Sequence, residues 1–588
     1  MSSEPLNNQD YCHILNDIAL LLELKGEENP FRIRAYLHAS KMLSRIPWKL
    51  AGATEEQVKE IEGVGESIAK KIAELTRTGH LKFYEELCKE LPLDILTLLN
   101  IPGLGVRKVR TLYERLGVTS ATSLEKVCRE GKLINIPGFG KKASRKLLQS
   151  LEDMHRNAEK FLAAQVLPLA VELVEELERL SEVSLAAYAG SLRRGKEIVR
   201  DIDLVVARKT SSSRVLSFFI LHPLIESVLA KGTTRCTVRL KGGIPCDLRV
   251  VTEEEYPFAL AYFTGSREHN VRLRSLALRD GWSLNEYGFT PRKERIRKQV
   301  TPKVDDEADI YQALGLQFIP PELREDHGEF SAAAAKSIPS LVEMKNLKGI
   351  FHCHTIDSDG CDSLASMATA GMKLGFQYLG ISDHSKSLVR ANGLNEKAIM
   401  EQRRTISQLN ASYENFHLFS GIECDILRDG GLDFSDEVLA SLDYTIASVH
   451  TSFSLPAAVM TRRIIRALSN PYVTVLGHLT GRLLLKRLPY RVDIPAVIEA
   501  AASTGTWIEL NANPNRLDME CSWWPLASEK RVKCVINPDA HSARNIQDVS
   551  FGVRSARRGG LTTRDVVNCL TFSEITSALR AKRREASQ

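Results

Sequence analysis

From residue 347 onward the sequence keeps one beat. An apolar stretch ends in a polar, ligand-type residue, and a helical pattern follows. The stretches are IFHCH, YLGISDH, LFSGIECD, TIASVH, TVLGHLTG, TWIELNAN and CVINPDAHS. Seven such units predict a (β/α) barrel of about seven strands, with its chemistry at the C-terminal rim. His352 and His354 share one strand face because Cys353 points the other way, and Asp539 and His541 alternate likewise. Asp359 follows on a Ser-Asp-Gly turn. His384, Glu423, His450 and His478 end later strands. A lone histidine at a strand end is usually structural or solvated. Nine ligand-type side chains at equivalent rims exceed what one ion needs and suit a cluster of two or three. A purely structural metal site would be closed and usually rich in cysteine, which argues against a scaffold role. Cys353, Cys361 and Cys424 lie near the site and are assigned no part in it.

The front of the chain has another character. Residues 10 to 50 read as amphipathic helices, the first stopping at Gly26. IEGVGESIAKKI, IPGLGVRKVRTLY and IPGFGKKASRKLL then repeat one pattern: apolar, any residue, Gly, apolar, Gly, helix. The pairs Gly63 and Gly65, Gly103 and Gly105, and Gly138 and Gly140 permit tight turns. Each turn presents backbone N–H groups at a helix N-terminus, where an anion is favoured. Such turns also serve helix packing, but three copies followed by basic residues point to the DNA backbone. The pattern matches the helix-hairpin-helix element.

A length of 588 residues suggests three to five domains, and 43% hydrophobic with 26% charged residues fits a soluble globular chain. No apolar run approaches a membrane span, and MSSEPLNNQDY is unlike a secretory signal. Eleven cysteines without a CxxC pair fit reduced cytosolic thiols, and a net charge of +6 is compatible with nucleic acid without establishing it.

The middle of the chain carries a third signal. In YAGSLRRGKEIVRDIDLVVA, alternation places Asp201 and Asp203 on one strand face, and Asp247 lies in GGIPCDLRVV. A single Asp-x-Asp is commonly a solvated strand end. Three carboxylates on adjacent strands would hold two Mg²⁺ ions, one activating a hydroxyl and one steadying a leaving pyrophosphate. Gly190 and Ser191, followed by Arg193, Arg194 and Gly195, suit a triphosphate cradle. YFTGSREHN then sets two aromatics beside a glycine turn.

Together, GSLRRGKE…DID, CDLRVV and YFTGS…N resemble the family X DNA polymerases, which fill gaps in DNA repair. With HxH…SDG…SDH…GIE…H…GH…DAH, the chain resembles the bacterial and archaeal members carrying a PHP (polymerase and histidinol phosphatase) domain. The resemblance covers essentially everything after the first ten residues. It implies Asp201, Asp203 and Asp247 as palm metal ligands, with Asp247 activating the primer 3′-hydroxyl. Gly190, Ser191 and Arg194 would bind the triphosphate. Tyr262, Phe263 and Gly265 would shape the sugar pocket, Asn270 would reach the base, and Arg274 would contact the template. Eukaryotic relatives use a lysine Schiff base to excise a 5′-deoxyribose phosphate. Lys71 occupies the matching place, with binding of a 5′-phosphate as the simpler reading and Ser67 a departure from some relatives.

In family terms, His352, His354, Glu423 and Asp539 would hold one ion. Asp359, His384 and His541 would hold a second, and His450 and His478 a third with Glu423 bridging. Arg482 would contact phosphate or form an ion pair capping the barrel. The resemblance also implies a multidomain fold. It comprises an N-terminal helix-hairpin-helix domain (1–85), a fingers-like one (86–152), an α+β nucleotidyltransferase palm (153–260), a thumb (261–316), a linker (317–346) and a distorted (β/α)7 PHP barrel (347–588). Mg²⁺ or Mn²⁺ is expected at the palm, and two or three Mn²⁺ or Zn²⁺ ions at the barrel. The expected partners are gapped or primer-template DNA with a 5′-phosphate and dNTPs, for a cytoplasmic, nucleoid-associated monomer that binds no membrane. The function implied is gap filling with 3′–5′ exonuclease or 3′-end processing. The alternatives are a PHP phosphatase tethered to DNA by an inactive polymerase-like module, or a DNA-binding scaffold.

Overall fold

The computed structural model describes residues 8–586, apart from residues 28, 44, 45, 47, 62, 102, 158 and 293–299. Most of the basic stretch PRKERIRKQVTPK and the last two residues of the basic tail therefore lie outside the described residues. The chain forms two compact units, Met1–Ala158 and Glu159–Gln588.

The first unit is helical, with Asn8–Lys25 packed on Pro30–Leu43. The three glycine motifs lead into helices Glu66–Thr78, Val106–Leu116 and Lys141–Asn157. The first glycine of each pair has positive φ (Gly63 81°, Gly103 91°, Gly138 86°), which a side chain rarely tolerates. The residue between the glycines, Val64, Leu104 or Phe139, is buried in the core while the glycines stay exposed. Gly65 and Gly105 cap their helices without a side-chain hydrogen bond, so the first-turn N–H groups are left open.

The second unit begins with a five-stranded mixed sheet: β1 (Val183–Tyr188), β2 (Ile202–Arg208), β3 (Ile225–Lys231), β4 (Arg235–Leu240) and β5 (Pro245–Val251). Their spatial order is β1-β2-β5-β4-β3. Strand β2 is apolar from Leu204 to Ala207 because both its faces are covered there. Leu204 and Val206 join the core of helix Ala163–Glu178, while Val205 and Ala207 meet helix Tyr256–Thr264. The next layer, with helices Arg267–Arg279 and Glu307–Ala313 and hairpin Trp282–Asn285/Gly288–Pro291, has its own core around Phe258, Leu273, Trp282 and Tyr311.

Residues 317–346, expected as a linker, are packed. Ile319, Arg324 and Val342 are fully buried. Arg324 donates to the Ile319 carbonyl at 2.9 Å and pairs with Glu307 at 2.6 Å, and Val342 N–H donates to the Leu561 carbonyl at 2.9 Å. The buried Arg324 guanidinium thus ties the residues around Pro320 and Pro321 to the helix Glu307–Ala313.

Seven parallel strands then follow in sequential order: β6 (Gly349–Ile350), β7 (Tyr378–Ile381), β8 (His417–Asp425), β9 (Tyr444–Ser448), β10 (Val475–Leu476), β11 (Trp507–Asn511) and β12 (Cys534–Asn537). The seam between first and last closes just beyond the strands. His354 N–H donates to the Ala540 carbonyl (2.8 Å), Ala540 N–H to the His352 carbonyl (3.1 Å), and Phe351 N–H to Asn537 Oδ1 (2.9 Å). Phe351, Tyr378, Phe419 and Tyr444 fill the interior. The Tyr444 ring lies where any side chain at Gly421 would stand, and its hydroxyl bonds the Phe351 and Ile381 carbonyls.

Candidate metal centres

The beat of the sequence becomes geometry at the barrel rim, where seven of the nine expected side chains line a cavity of ≈ 290 Å³ and His352 and His354 lie buried against them. His352, His354, His384, Glu423, His478 and Asp539 are buried, and Asp359 and His541 form its more open side. Ligand atoms gather in three groups within 4.8 Å: His354, Asp359, His384 and His541; His352, His354 and Asp539; His384, Glu423 and His450. His354 belongs to two groups. His478 reaches Glu423 Oε1 through Nε2 at 2.9 Å.

Whether these residues fit metal ions is tested by their unpaired atoms. His352 Nε2, both ring nitrogens of His354, His384 Nδ1, His478 Nδ1 and Glu423 Oε2 are buried without a hydrogen bond. His384 Nδ1 and Glu423 Oε2 are 2.8 Å apart yet not aligned for one. Buried polar atoms left unpaired are costly, and so many gathered within reach of one another fit ion ligation. Burial and the neighbouring His384 and His541 push the His354 imidazole down to about 3, so it remains a neutral ligand. Burial opposes charging His541, but Asp359 and Asp539 raise it to about 9. Glu423 and Asp539 stay ionised against their burial because histidines surround them.

In the palm, β2 and β5 run parallel with Asp203 opposite Asp247, and Asp201 just precedes β2. Burial, then Asp201 and Asp247, push the Asp203 carboxyl up to about 7, and Asp201 is raised by burial and Asp247. Three crowded carboxylates of this kind call for a cation. Thr237 donates to Asp247 at 2.5 Å. Gly190 (φ 61°) opens the four-residue turn Gly190–Arg193, which includes Ser191, against Asp203; any Cβ there would collide with the carboxylate. Arg194 does not point freely into this space. It pairs with Glu325 (3.0 Å) and donates to the Thr264 carbonyl (2.8 Å). Tyr262, Asn270, exposed Arg274 and Asn285 line a small neighbouring cavity. Asn270 donates to the Tyr262 carbonyl at 2.6 Å, and Gly265 leaves room for its amide.

In the first unit, Lys71 lies over the Phe83 ring and 3.1 Å from Ser67 Oγ, and burial, then Arg32, lower its pKa. Its cationic neighbour is Arg32; Lys70 pairs with Glu66.

The DNA polymerase beta thumb model matches residues 259–325, a helix-hairpin-helix domain matches 6–81, and a SAM-like helix-hairpin-helix tandem matches 95–153. The DNA polymerase/3′-5′ exonuclease PolX of Bacillus subtilis (strain 168) is 37% identical over 98% of this chain and 100% of its own length. The chain belongs to the PolX family of DNA polymerases. The fold is that of a family X polymerase with a PHP barrel, as the sequence predicted. A probable phosphatase of Thermoanaerobacter sp. (strain X514) is 27% identical over 40% of this chain and 95% of its own length. DNA polymerase lambda of Rattus norvegicus is 26% identical over 45% of the chain and 48% of its own.

This PolX member also uses residues that sequence reasoning passed over. Buried Glu509 meets His352 Nδ1 at 2.6 Å and accepts from His478 N–H at 2.8 Å. Asp425 holds His450 Nδ1, and Asp383 is bound by Thr355, Ser358 and Gln402. Partners such as Glu509 and Asp425 orient the imidazoles they hold. The only signal for Glu509 was a carboxylate within a largely apolar strand. Arg482 pairs with Glu197 of the palm.

Proposed function

We propose that this chain fills short DNA gaps by template-directed nucleotidyl transfer in the palm and removes nucleotides from 3′ ends at the barrel rim. The observation that carries the proposal is the coexistence of two separate carboxylate-centred clusters on one chain. One is built from Asp201, Asp203 and Asp247 beside a glycine–arginine turn. The other contains six buried, unpaired His and Glu atoms at the barrel rim.

Divalent ions, when bound, supply charge neutralisation and an activated hydroxyl at both sites. Asp201, Asp203 and Asp247 would hold Mg²⁺ or Mn²⁺; the nine rim residues would hold Mn²⁺ or Zn²⁺. The chain's own groups do the rest. Ser191 and Arg194 receive the triphosphate, with Glu325 yielding Arg194. Tyr262, Phe263 and Gly265 bound the sugar, and Asn270 and Arg274 face the base pair and template. The open helix N-termini after Gly65 and Gly105 support backbone contact with DNA, and Lys71 with Arg32 supports capture of a downstream 5′-phosphate. Eleven free cysteines support a reducing cytoplasm as the place of work.

The test uses 5′-labelled primer in a one-nucleotide gap with a downstream 5′-phosphate, in Mg²⁺ or Mn²⁺, with and without the matching dNTP. Asp203→Ala should lose extension alone, and His354→Ala should lose shortening alone. Shortening that survives His354→Ala removes the rim from nuclease chemistry and favours a phosphatase. No extension under any metal reduces the front to a tether.

A further inference from the structure

The rim cavity has a charged wall that metal ligation does not use. Arg516 and Arg390 both line it. Arg516 follows β11 and sets Nε 3.4 Å from Asp539 Oδ2, with its side chain 20% exposed. Arg390 lies on the turn Val389–Ala391, in a loop after β7. That loop hangs from the ligand residues themselves: Ser385 N–H donates to the Glu423 carbonyl (3.0 Å) and Leu394 N–H to the His384 carbonyl (2.8 Å).

The two arginines differ in what they already hold. Arg516 is compensated by Asp539. Arg390 is exposed and has no ion pair or side-chain hydrogen bond among the described residues. A third arginine, Arg487, is fixed by the Gly481 carbonyl at 2.8 Å and stacked on Phe453, so it is not available. Its depressed pKa, due first to burial and then to Arg516 and Arg390, marks all three as sharing one field.

A single phosphate among the ions needs one guanidinium at Asp539. An uncompensated second one, held at the mouth on a separate loop, is surplus for a monoester. It suits a further phosphate of a continuous strand. We infer that Arg516 receives the phosphodiester to be cut and that Arg390 holds the next one inward, so that Arg390 selects a polynucleotide 3′ end over a small phosphoester. The inference rests on the exonuclease reading above and names the substrate class of that site. Arg390 is a specificity residue here; it does not touch the reacting atoms.

The test compares the parent, Arg390→Gln and Arg516→Gln on three substrates in Mn²⁺: bis(p-nitrophenyl) phosphate, the dinucleotide dTpdT, and a single-stranded oligothymidylate. Because Arg390 is exposed and unpaired, the Gln variant should fold. It should raise KM for the oligonucleotide about 10- to 100-fold at unchanged kcat, the loss expected for one charge-assisted hydrogen bond. It should lower the salt slope by about one, and leave the two single-phosphodiester substrates unchanged. Arg516→Gln should weaken turnover of all three.

A readout without turnover is photo-crosslinking of an oligonucleotide carrying 4-thiothymidine at the penultimate 3′ position, between the two phosphates concerned, in EDTA. The parent should give an adduct on the peptide spanning 387–392, and Arg390→Gln should lose it. Equal loss on every substrate, or no change on the oligonucleotide, overturns the assignment. A parent that hydrolyses bis(p-nitrophenyl) phosphate but leaves oligonucleotides intact overturns the exonuclease reading, and the assignment with it.

Discussion

Arg482 at the barrel rim and Glu197 in the palm meet at 2.7 Å with side chains only 9% and 11% exposed. The same guanidinium donates to the Arg516 carbonyl (2.9 Å) and to the Leu517 carbonyl. A buried pair adds little net stability over an apolar replacement, but removing one partner strands the other. Arg482→Met should cost about 3–5 kcal/mol in urea unfolding. The double variant Glu197→Gln/Arg482→Met should recover part of that loss. Strictly additive losses would show that the pair is not coupled.

Gly190 is required by the carboxylate beside it. Gly190→Ala must both strain a positive φ and displace Asp203. Primer extension should fall at least about 100-fold, since misplacement on the order of 1 Å has that effect on a reacting constellation. Shortening of the same primer in Mn²⁺ should be retained, and a gel assay reads both.

Glu509 touches no expected ion position directly, yet it fixes His352 and His478. Glu509→Gln should weaken metal binding at the rim about 10- to 100-fold. Mn²⁺ titration followed by electron paramagnetic resonance would show this, with extension in Mg²⁺ unchanged. Equal Mn²⁺ affinity in parent and variant would count against an orienting role.

His269 gives the thumb a pH dependence. Its ring is buried, 2.8 Å from Glu329 and 2.9 Å from the Tyr311 hydroxyl, and stacked on Phe330. Burial lowers its pKa, with Arg324 adding to that, although Glu329 opposes it. The folded state therefore holds His269 neutral, and the unfolded state takes up its proton first on acidification. Stability is full above about pH 6.5 and falls as pH drops below that, by at most about 1.4 kcal/mol per pH unit for one proton. Glu329, whose pKa is lowered chiefly by His269 against its own burial, extends the loss to lower pH. Thermal unfolding from pH 7.5 to 5 should show this slope, and His269→Gln should flatten it.

The barrel was legible because its ligands recur at strand ends, where periodicity and chemistry coincide. The palm was legible because Asp201, Asp203 and the apolar run after them can only be a strand entering a core. Other features left no local trace. Arg194 and Glu325 are 131 residues apart, and nothing in either segment announces the other. Arg390 sits on an irregular turn with no period to place it. Glu509 was hidden by its own strand: one carboxylate between Ile508 and Leu510 gives no hint of which way it faces until the barrel closes. The packed stretch 317–346 misled through composition, because a buried arginine looks polar in sequence.

The helix Val549–Arg558 of the barrel reaches the polymerase half directly. Arg554 donates to the Leu192 carbonyl inside the glycine–arginine turn, and Arg557 pairs with Glu322 at 2.5 Å. A chain cut at residue 346 would lose those donors together with the Arg482 latch, leaving the glycine–arginine turn without a floor. The barrel is thus a foundation as well as an enzyme. A lineage that discarded its chemistry would still be obliged to keep its walls.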